Sequence, residues 1–97
     1  MPFEVMFSPE AVEDFKSLSA FDKASVSYAI QRHLVNNPTH ASKAKIKRLQ
    51  GLEKPQYRLR IDEIRLFYDV VENRVEVLAI VEKKNASDWL EKEGVKG

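Results

Sequence analysis

The side chains of this sequence with the most chemistry to offer are arginines in its second half. Arg58 and Arg60 stand two residues apart, and Arg65 follows closely. A guanidinium group keeps its charge and donates several N–H bonds in a fixed fork, which suits phosphate oxygens. Such cations also stabilise the negative charge that develops when a phosphodiester is cleaved. The residue types therefore indicate a site for a polyanion.

Further basic residues surround these arginines. Residues 41–65 hold eight basic side chains and three acidic ones, in a chain whose formal net charge is only +1. A positive block inside a nearly neutral chain indicates a local site for a polyanion or an acidic partner. A solvated basic loop is the alternative, and composition does not decide between them. The residues that extend the positive surface are Lys43, Lys45, Lys47, Arg48 and Lys83.

Several other kinds of site lack the residues they need. The sequence has no cysteine, which excludes disulfides, a thiol nucleophile and a thiolate metal site. Its two histidines, His33 and His40, are too few for a histidine-based metal cluster, so we expect neither a metal ion nor another cofactor. Both are predicted to lie away from the arginines. A proton acceptor for phosphodiester cleavage at these arginines is left open between a lysine beside them and Glu82.

The chain has the length and composition of one folded domain. Its 97 residues are 43% hydrophobic and 32% charged, with 3 Gly and 4 Pro, which excludes a disordered or collagen-like chain. No apolar run approaches the roughly 18 residues of a membrane span, and the charged N-terminus is not a signal peptide. We expect a single domain over residues 1–97, without membrane contact, in the cytoplasm.

Two helices are predicted before the basic stretch. Ser8-Pro9-Glu10 combines a capping side chain, a proline at the first helical position and an acid in the first turn. A second helix begins near Ser19 or Asp22 and ends at Asn36-Asn37-Pro38, because a residue before proline disfavours the helical conformation. The apolar stripes at helical spacing are Ala11, Phe15 and Leu18 in the first helix and Val26, Ile30 and Leu34 in the second.

After residue 55 the sequence period changes to two, as in β-strands. Runs at 57–61, 64–71 and 75–81 are separated by two-residue connections at Asp62-Glu63 and Glu72-Asn73. Residues 3–7 add a short first strand, and residues 39–55 are predicted as a loop with a helical turn over Ala44–Leu49. Residues 85–88 cap a short C-terminal helix that Trp89 anchors and Gly94 closes. The order β-α-α-β-β-β-α predicts an α+β fold, in which the two N-terminal helices pack on one face of a small antiparallel meander and a short C-terminal helix follows.

The predicted strand register sorts the side chains into two faces, since directly opposed residues share a face. A two-residue turn at Asp62-Glu63 sets Arg60 opposite Arg65. The alternate positions form an apolar inner face, and Arg58, Arg60 and Arg65 stand together on the outer one. The next turn sets Arg65 beside Ile80 and brings Lys84 to the same rim. Two explanations stay open: an anionic ligand shared by the arginines, or solvated arginines whose stems cover the sheet, with Asp69 or Glu82 nearby.

Four segments of the sequence resemble the RelE/ParE superfamily of bacterial type II toxins. These segments are Gly51-Leu52, Tyr57-Arg58-Leu59-Arg60, Ile64-Arg65-Leu66-Phe67-Tyr68, and Val75–Val81 followed by Lys83-Lys84. The resemblance covers nearly the whole chain, and its most specific part is the arginine followed by Leu-Phe-Tyr. It implies a toxin that a cognate antitoxin neutralises, and whose complex with the antitoxin binds operator DNA through the antitoxin.

In the RelE branch the resemblance implies a metal-independent endoribonuclease that cuts mRNA on the ribosome and so inhibits translation. The matching catalytic positions are Arg58, Arg60, Arg65 and Lys84, and the RNA-binding positions are Lys43, Lys45, Lys47, Arg48 and Lys83. Two residues depart from the family pattern: Leu90 occupies the place of a tyrosine, and Glu82 replaces a small residue. The alternatives are a ParE-like toxin that inhibits DNA gyrase, and a toxin fold with weak or lost nuclease activity.

Overall fold

A computed structural model describes residues 2–41 and 45–97, and within them the chain forms three α-helices and seven strands. The elements in chain order are β1 (Glu4–Phe7), α1 (Pro9–Lys16), α2 (Ala20–Ala29) with a π-helical extension (Ile30–Leu34), β2 (Ile46–Arg48), β3 (Leu52–Lys54), β4 (Tyr57–Ile61), β5 (Ile64–Val71), β6 (Arg74–Glu82), α3 (Lys83–Glu93) and β7 (Val95–Lys96).

Five strands form the main sheet in the order β1-β6-β5-β4-β2. The predicted antiparallel meander is β4-β5-β6, with β1 parallel to β6 at one edge and β2 antiparallel to β4 at the other. Strands β3 and β7 pair separately. The α+β architecture is confirmed, and the three short strands β2, β3 and β7 are additions to the predicted order.

Serine caps begin the two N-terminal helices, as the sequence predicts. The Ser8 hydroxyl accepts the Ala11 N–H at 3.1 Å, and the Ser19 hydroxyl accepts the Asp22 N–H at 3.1 Å. Each cap satisfies an N–H that has no partner inside the helix. Both helices cover the inner face of the sheet, where the predicted apolar set is buried. That core includes Ala11, Val26, Ile30, Leu34, Leu59, Ile61, Ile64, Leu66 and Tyr68.

The predicted helical turn over Ala44–Leu49 is wrong, because residues 46–48 form strand β2. Ile46 is buried opposite Leu59, whereas Lys47, opposite Arg58, points to the outer face. A strand of three residues has too little alternation to be recognised from sequence. Residues 42–44, including Lys43, lie outside the described residues.

The predicted pairing of Arg65 with Ile80 is also wrong, because β6 contains a bulge. Tyr68 pairs with Val77 but Phe67 pairs with Ala79, so that Leu78 is the extra residue and Arg65 lies opposite Val81. The Leu78 carbonyl accepts the Ser8 hydroxyl at 3.0 Å. A bulge reverses which face the following residues occupy. Ile80 consequently joins the inner core.

The C-terminal helix begins earlier than predicted and lies on the other face of the sheet. It starts at Lys83, directly after β6, and ends at Gly94 as expected. The indole of Trp89 stacks on the outer-face ring of Phe67, with ring centres 5.0 Å apart and planes 4° from parallel. Trp89 is therefore the predicted anchor, and it holds α3 on the face opposite the two N-terminal helices.

Candidate functional site

The three arginines of the predicted site lie together on the outer face. Arg60 and Arg65 are direct partners across β4 and β5, and Arg58 is two residues further along β4. We call these three residues the arginine cluster. They line an open groove of about 730 Å³, the basic groove, whose wall is completed by Ala41, Ile46, Lys47 and Arg48.

Arg65 is held rigidly beneath the turn between β4 and β5. Its side chain donates from Nη1 to the Asp62 carbonyl at 2.7 Å and to the Ile64 carbonyl at 3.0 Å. The residue is only 8% exposed. Hydrogen bonds from a charged donor are stronger than neutral ones. The guanidinium is therefore preorganised, since no rearrangement is needed before it meets an anion.

Arg58 occupies a half-buried position that is unfavourable for its charge. Its Nε–H is buried and has no hydrogen-bond partner. Burial lowers the pKa of Arg58, and the charges of Arg65 and Arg60 lower it further. Arginine nevertheless stays protonated in proteins. An anion in the groove would supply both the missing acceptor and the missing counter-charge.

The two acids that the sequence offered as neighbours of the arginines are paired with lysines. Asp69 lies 3.3 Å from Lys54 Nζ and accepts the Gln56 N–H at 2.8 Å. Glu82 pairs with Lys84 at 3.8 Å. In the part of the chain that the structure describes, no acid lies within ion-pairing distance of the arginine cluster. The explanation by neighbouring acids is thus disfavoured.

The other predicted binding residues divide between the groove and its surroundings. Lys47 and Arg48 line the groove, and Arg48 also lies over the Tyr57 ring at 5.2 Å. The Lys45 carbonyl accepts the Arg60 N–H at 2.9 Å, which places Lys45 at the open end of β4. Lys43 lies outside the described residues.

Lys83 and Lys84 are the first residues of α3 and are exposed. The Lys83 N–H donates to the Glu63 carbonyl at 2.7 Å, so the end of β6 meets the turn between β4 and β5 as predicted. Neither lysine is part of the groove wall. Lys84 instead pairs with Glu82, and both side chains are largely exposed.

A second cavity adjoins the groove, and the sequence did not predict which residues meet there. This side cavity of about 460 Å³ includes Arg32, His33, Lys45 and Arg60 in its wall. His33 was predicted away from the arginines. Burial lowers the pKa of His33, as do the charges of Arg32 and Lys45. Which strand the end of α2 meets cannot be read from the helical pattern, because it depends on how the helix docks.

The described residues contain neither a metal-binding cluster nor a membrane-spanning helix. Among residues 2–41 and 45–97, no group of three or more His, Cys, Asp or Glu side chains is arranged to hold a metal ion. Within the same ranges, no helix is long and apolar enough to cross a membrane.

The sequence profile described as the ParE toxin of the type II toxin-antitoxin system parDE matches residues 5–86. The chain belongs to this toxin family. The resemblance to the RelE/ParE superfamily is thereby confirmed, and this ParE-family chain is a type II toxin. A comparison with curated protein sequences finds no match.

Solved structures share the fold of this ParE-family toxin. A chain of the RelBE2 toxin-antitoxin complex from Mycobacterium tuberculosis is 22% identical, with 84% of this chain and 99% of that chain covered and a TM-score of 0.68. A chain of the RelE-RelB complex from Pyrococcus horikoshii is 20% identical, with coverage of 86% and 97% and a TM-score of 0.69. A mutant of the E. coli toxin RelE in the free state is 20% identical, with coverage of 94% and 93% and a TM-score of 0.69.

Proposed function

We propose that this toxin is a metal-independent endoribonuclease that cuts mRNA on the ribosome and thereby blocks translation. The observation that carries the proposal is the arginine cluster, which no described carboxylate neutralises and in which the Arg58 Nε–H lacks an acceptor. Like charges opposite each other on a sheet are unfavourable. An RNA phosphate relieves this cost. The place of action is then the cytoplasm, where messages are translated.

Each cation has a part in the proposed reaction, in which the 2′-OH attacks the adjacent phosphate. Arg58 and Arg60 bind that phosphate, and the rigidly held Arg65 stabilises its developing negative charge. Lys84 adds a cation where β6 ends, because an exposed ion pair such as that with Glu82 is worth little and is easily exchanged. The flanking phosphates are bound by Lys43, Lys45, Arg48 and Lys83, and Lys47 has a different part in the reaction.

The 2′-OH also needs a proton acceptor. Glu82 was one candidate, but it is not in the groove wall. Among the described residues that line the groove, Lys47 is the ionisable side chain that is not an arginine. Lys47 is therefore the candidate base in this proposal.

The test is induction of the toxin followed by primer extension on cellular messages. We expect cuts within translated regions that vanish when translation is blocked. Arg60→Ala is the informative variant because Arg60 is exposed, and loss of one such donor costs on the order of 10²–10³ in rate. Lys96→Ala, at an exposed position of β7, is the matched control and should cleave like the wild type. Intact messages despite soluble, folded toxin would overturn the proposal.

Inhibition of DNA gyrase is the second candidate function. It is favoured by the match to the ParE family and by Leu90, which is half-buried in α3 at the place of the family's tyrosine. Gyrase-dependent DNA breaks with intact messages would establish it. Intact messages and intact DNA, together with normal growth after induction, would instead indicate a toxin fold with weak or lost activity.

We further propose a cognate antitoxin as the protein partner. The similar chains from Mycobacterium tuberculosis and Pyrococcus horikoshii come from complexes of toxin with antitoxin. In this proposal the complex binds operator DNA through the antitoxin. Growth should fall when the toxin is induced alone and recover when the neighbouring gene is expressed with it. Failure of every neighbouring gene to restore growth would contradict this partner.

A further inference from the structure

The side cavity continues the basic groove past the end of β2 where that strand begins. Strand β2 pairs with β4 as far as Leu59, and the next residue, Arg60, donates its main-chain N–H to the Lys45 carbonyl just before β2 begins. Arg60 lines both the basic groove and the side cavity. One side chain therefore connects two basic surfaces, and a chain bound at one can pass directly to the other.

The charge of the side cavity favours an anion. Its wall contains three basic side chains, Arg32, Lys45 and Arg60, together with His33. The opposing acid is Asp62, whose main-chain carbonyl holds Arg65. The excess of positive charge matches a phosphate group better than any neutral ligand. The volume of about 460 Å³ falls within the range of small-ligand sites, roughly 300–1,000 Å³.

The side cavity also offers an aromatic ring at its mouth. Tyr28 lies in its wall and is 66% exposed. An exposed ring next to arginines is the arrangement by which proteins bind single-stranded nucleic acid: bases stack on the ring while cations follow the backbone. Stacking of one base on an aromatic side chain is worth about 1–3 kcal/mol.

We propose that the side cavity binds a nucleotide that flanks the cleaved bond in the same single-stranded RNA. Its base stacks on Tyr28, and its phosphate meets Arg32 and Lys45. Arg60 connects this nucleotide to the phosphate in the arginine cluster. The inference rests on the proposed ribonuclease function and extends it, since it assigns the RNA a path from the outer face of the sheet to the end of α2.

The test measures the affinity of the purified toxin for two fluorescent RNA oligonucleotides, one of three and one of eight nucleotides. Tyr28→Ala and Arg32→Ala should weaken binding of the longer RNA by about tenfold, the loss expected from one stacked base or one phosphate contact, and leave the shorter RNA unaffected. Arg32→Ala should also reduce the slope of log affinity against log salt by about 0.7. Arg58→Ala should weaken binding of both lengths.

A matched control for Tyr28→Ala comes from the same helix. Phe21 is 75% exposed on α2 but lies outside the side cavity, so Phe21→Ala should bind both RNAs like the wild type. Equal binding of the longer RNA by wild type, Tyr28→Ala and Arg32→Ala would overturn the inference, as would absence of binding by the wild type. Loss of antitoxin binding in place of RNA binding would assign the surface to a protein partner and overturn it as well. Cleavage on translating ribosomes, measured separately, decides the proposed function itself.

Discussion

At the scale of single residues, the arginine cluster trades stability for binding. Burial and the neighbouring arginines lower the pKa of the Arg58 guanidinium, so its charge reduces the free energy of unfolding. Arg58→Met keeps the length of the stem and removes the charge. We expect this variant to unfold at a higher temperature, because relief of one like-charge contact is worth about 0.2–1 kcal/mol.

The same Arg58→Met variant should lose RNA cleavage and RNA binding. Thermal unfolding by circular dichroism and primer extension on the same preparation measure the two effects. Stability gained together with activity lost is typical of a functional site. A less stable Arg58→Met protein would show that the charge contributes to folding rather than to function.

Arg65 differs from Arg58, because its guanidinium contributes both to folding and to the proposed activity. Its bonds to the Asp62 and Ile64 carbonyls stabilise the turn between β4 and β5 as well as fixing the guanidinium. Arg65→Ala is therefore expected to lower both activity and the free energy of unfolding, the latter by about 1.5–3 kcal/mol. Urea unfolding provides the measurement. Arg60→Ala, with no such bonds and a like charge opposite, is the control that should lose activity without losing stability.

At the scale of elements, α1 covers the part of β6 that extends beyond its pairing with β1, and this contact depends on pH. The Ile80 N–H donates to Asp14 at 2.9 Å. Burial raises the pKa of Asp14, and Glu10 raises it further, although the bond from Ile80 opposes the shift. A carboxyl whose pKa is raised on folding contributes stability at low pH, which is lost as the pH rises through the folded-state pKa.

Asp14→Asn keeps an oxygen for the Ile80 N–H without a charge. We expect its gain in unfolding temperature over the wild type to be larger at pH 7 than at pH 3. Asp14→Ala removes the acceptor and should be less stable than the wild type at both pH values. An Asn variant with the same advantage at pH 3 and pH 7 would show that ionisation of Asp14 does not affect folding.

The elements also show how far sequence reasoning extends. The register of β4 on β5, and with it the face shared by Arg58, Arg60 and Arg65, follows from alternation and a two-residue turn, both of which are local. The bulge at Leu78 was not predictable, because Ser8, which bonds it, is 70 residues away. The side cavity was missed for a similar reason, since it forms where α2 meets β4.

At the scale of the whole molecule, Trp89 connects α3 both to the sheet and to α1. Its ring stacks on Phe67, and its Nε1–H donates to the Glu10 carboxylate at 2.8 Å. Trp89→Ala should destabilise the fold by about 2–3 kcal/mol, somewhat less than a fully buried tryptophan would. Urea unfolding followed by circular dichroism measures the loss. Trp89→Phe retains the stack and should keep most of the free energy of unfolding that Trp89→Ala loses. Equal losses in both variants would assign the stabilisation to the hydrogen bond with Glu10.

The stack of Trp89 on Phe67 also makes the protein its own optical probe. The sequence contains a single tryptophan, so all of its indole fluorescence arises at the contact between α3 and the outer face of the sheet. Emission from an indole shifts to longer wavelength as water gains access to the ring. A titration with antitoxin or RNA therefore reports, without any label, whether the C-terminal helix stays seated while the neighbouring basic groove is occupied.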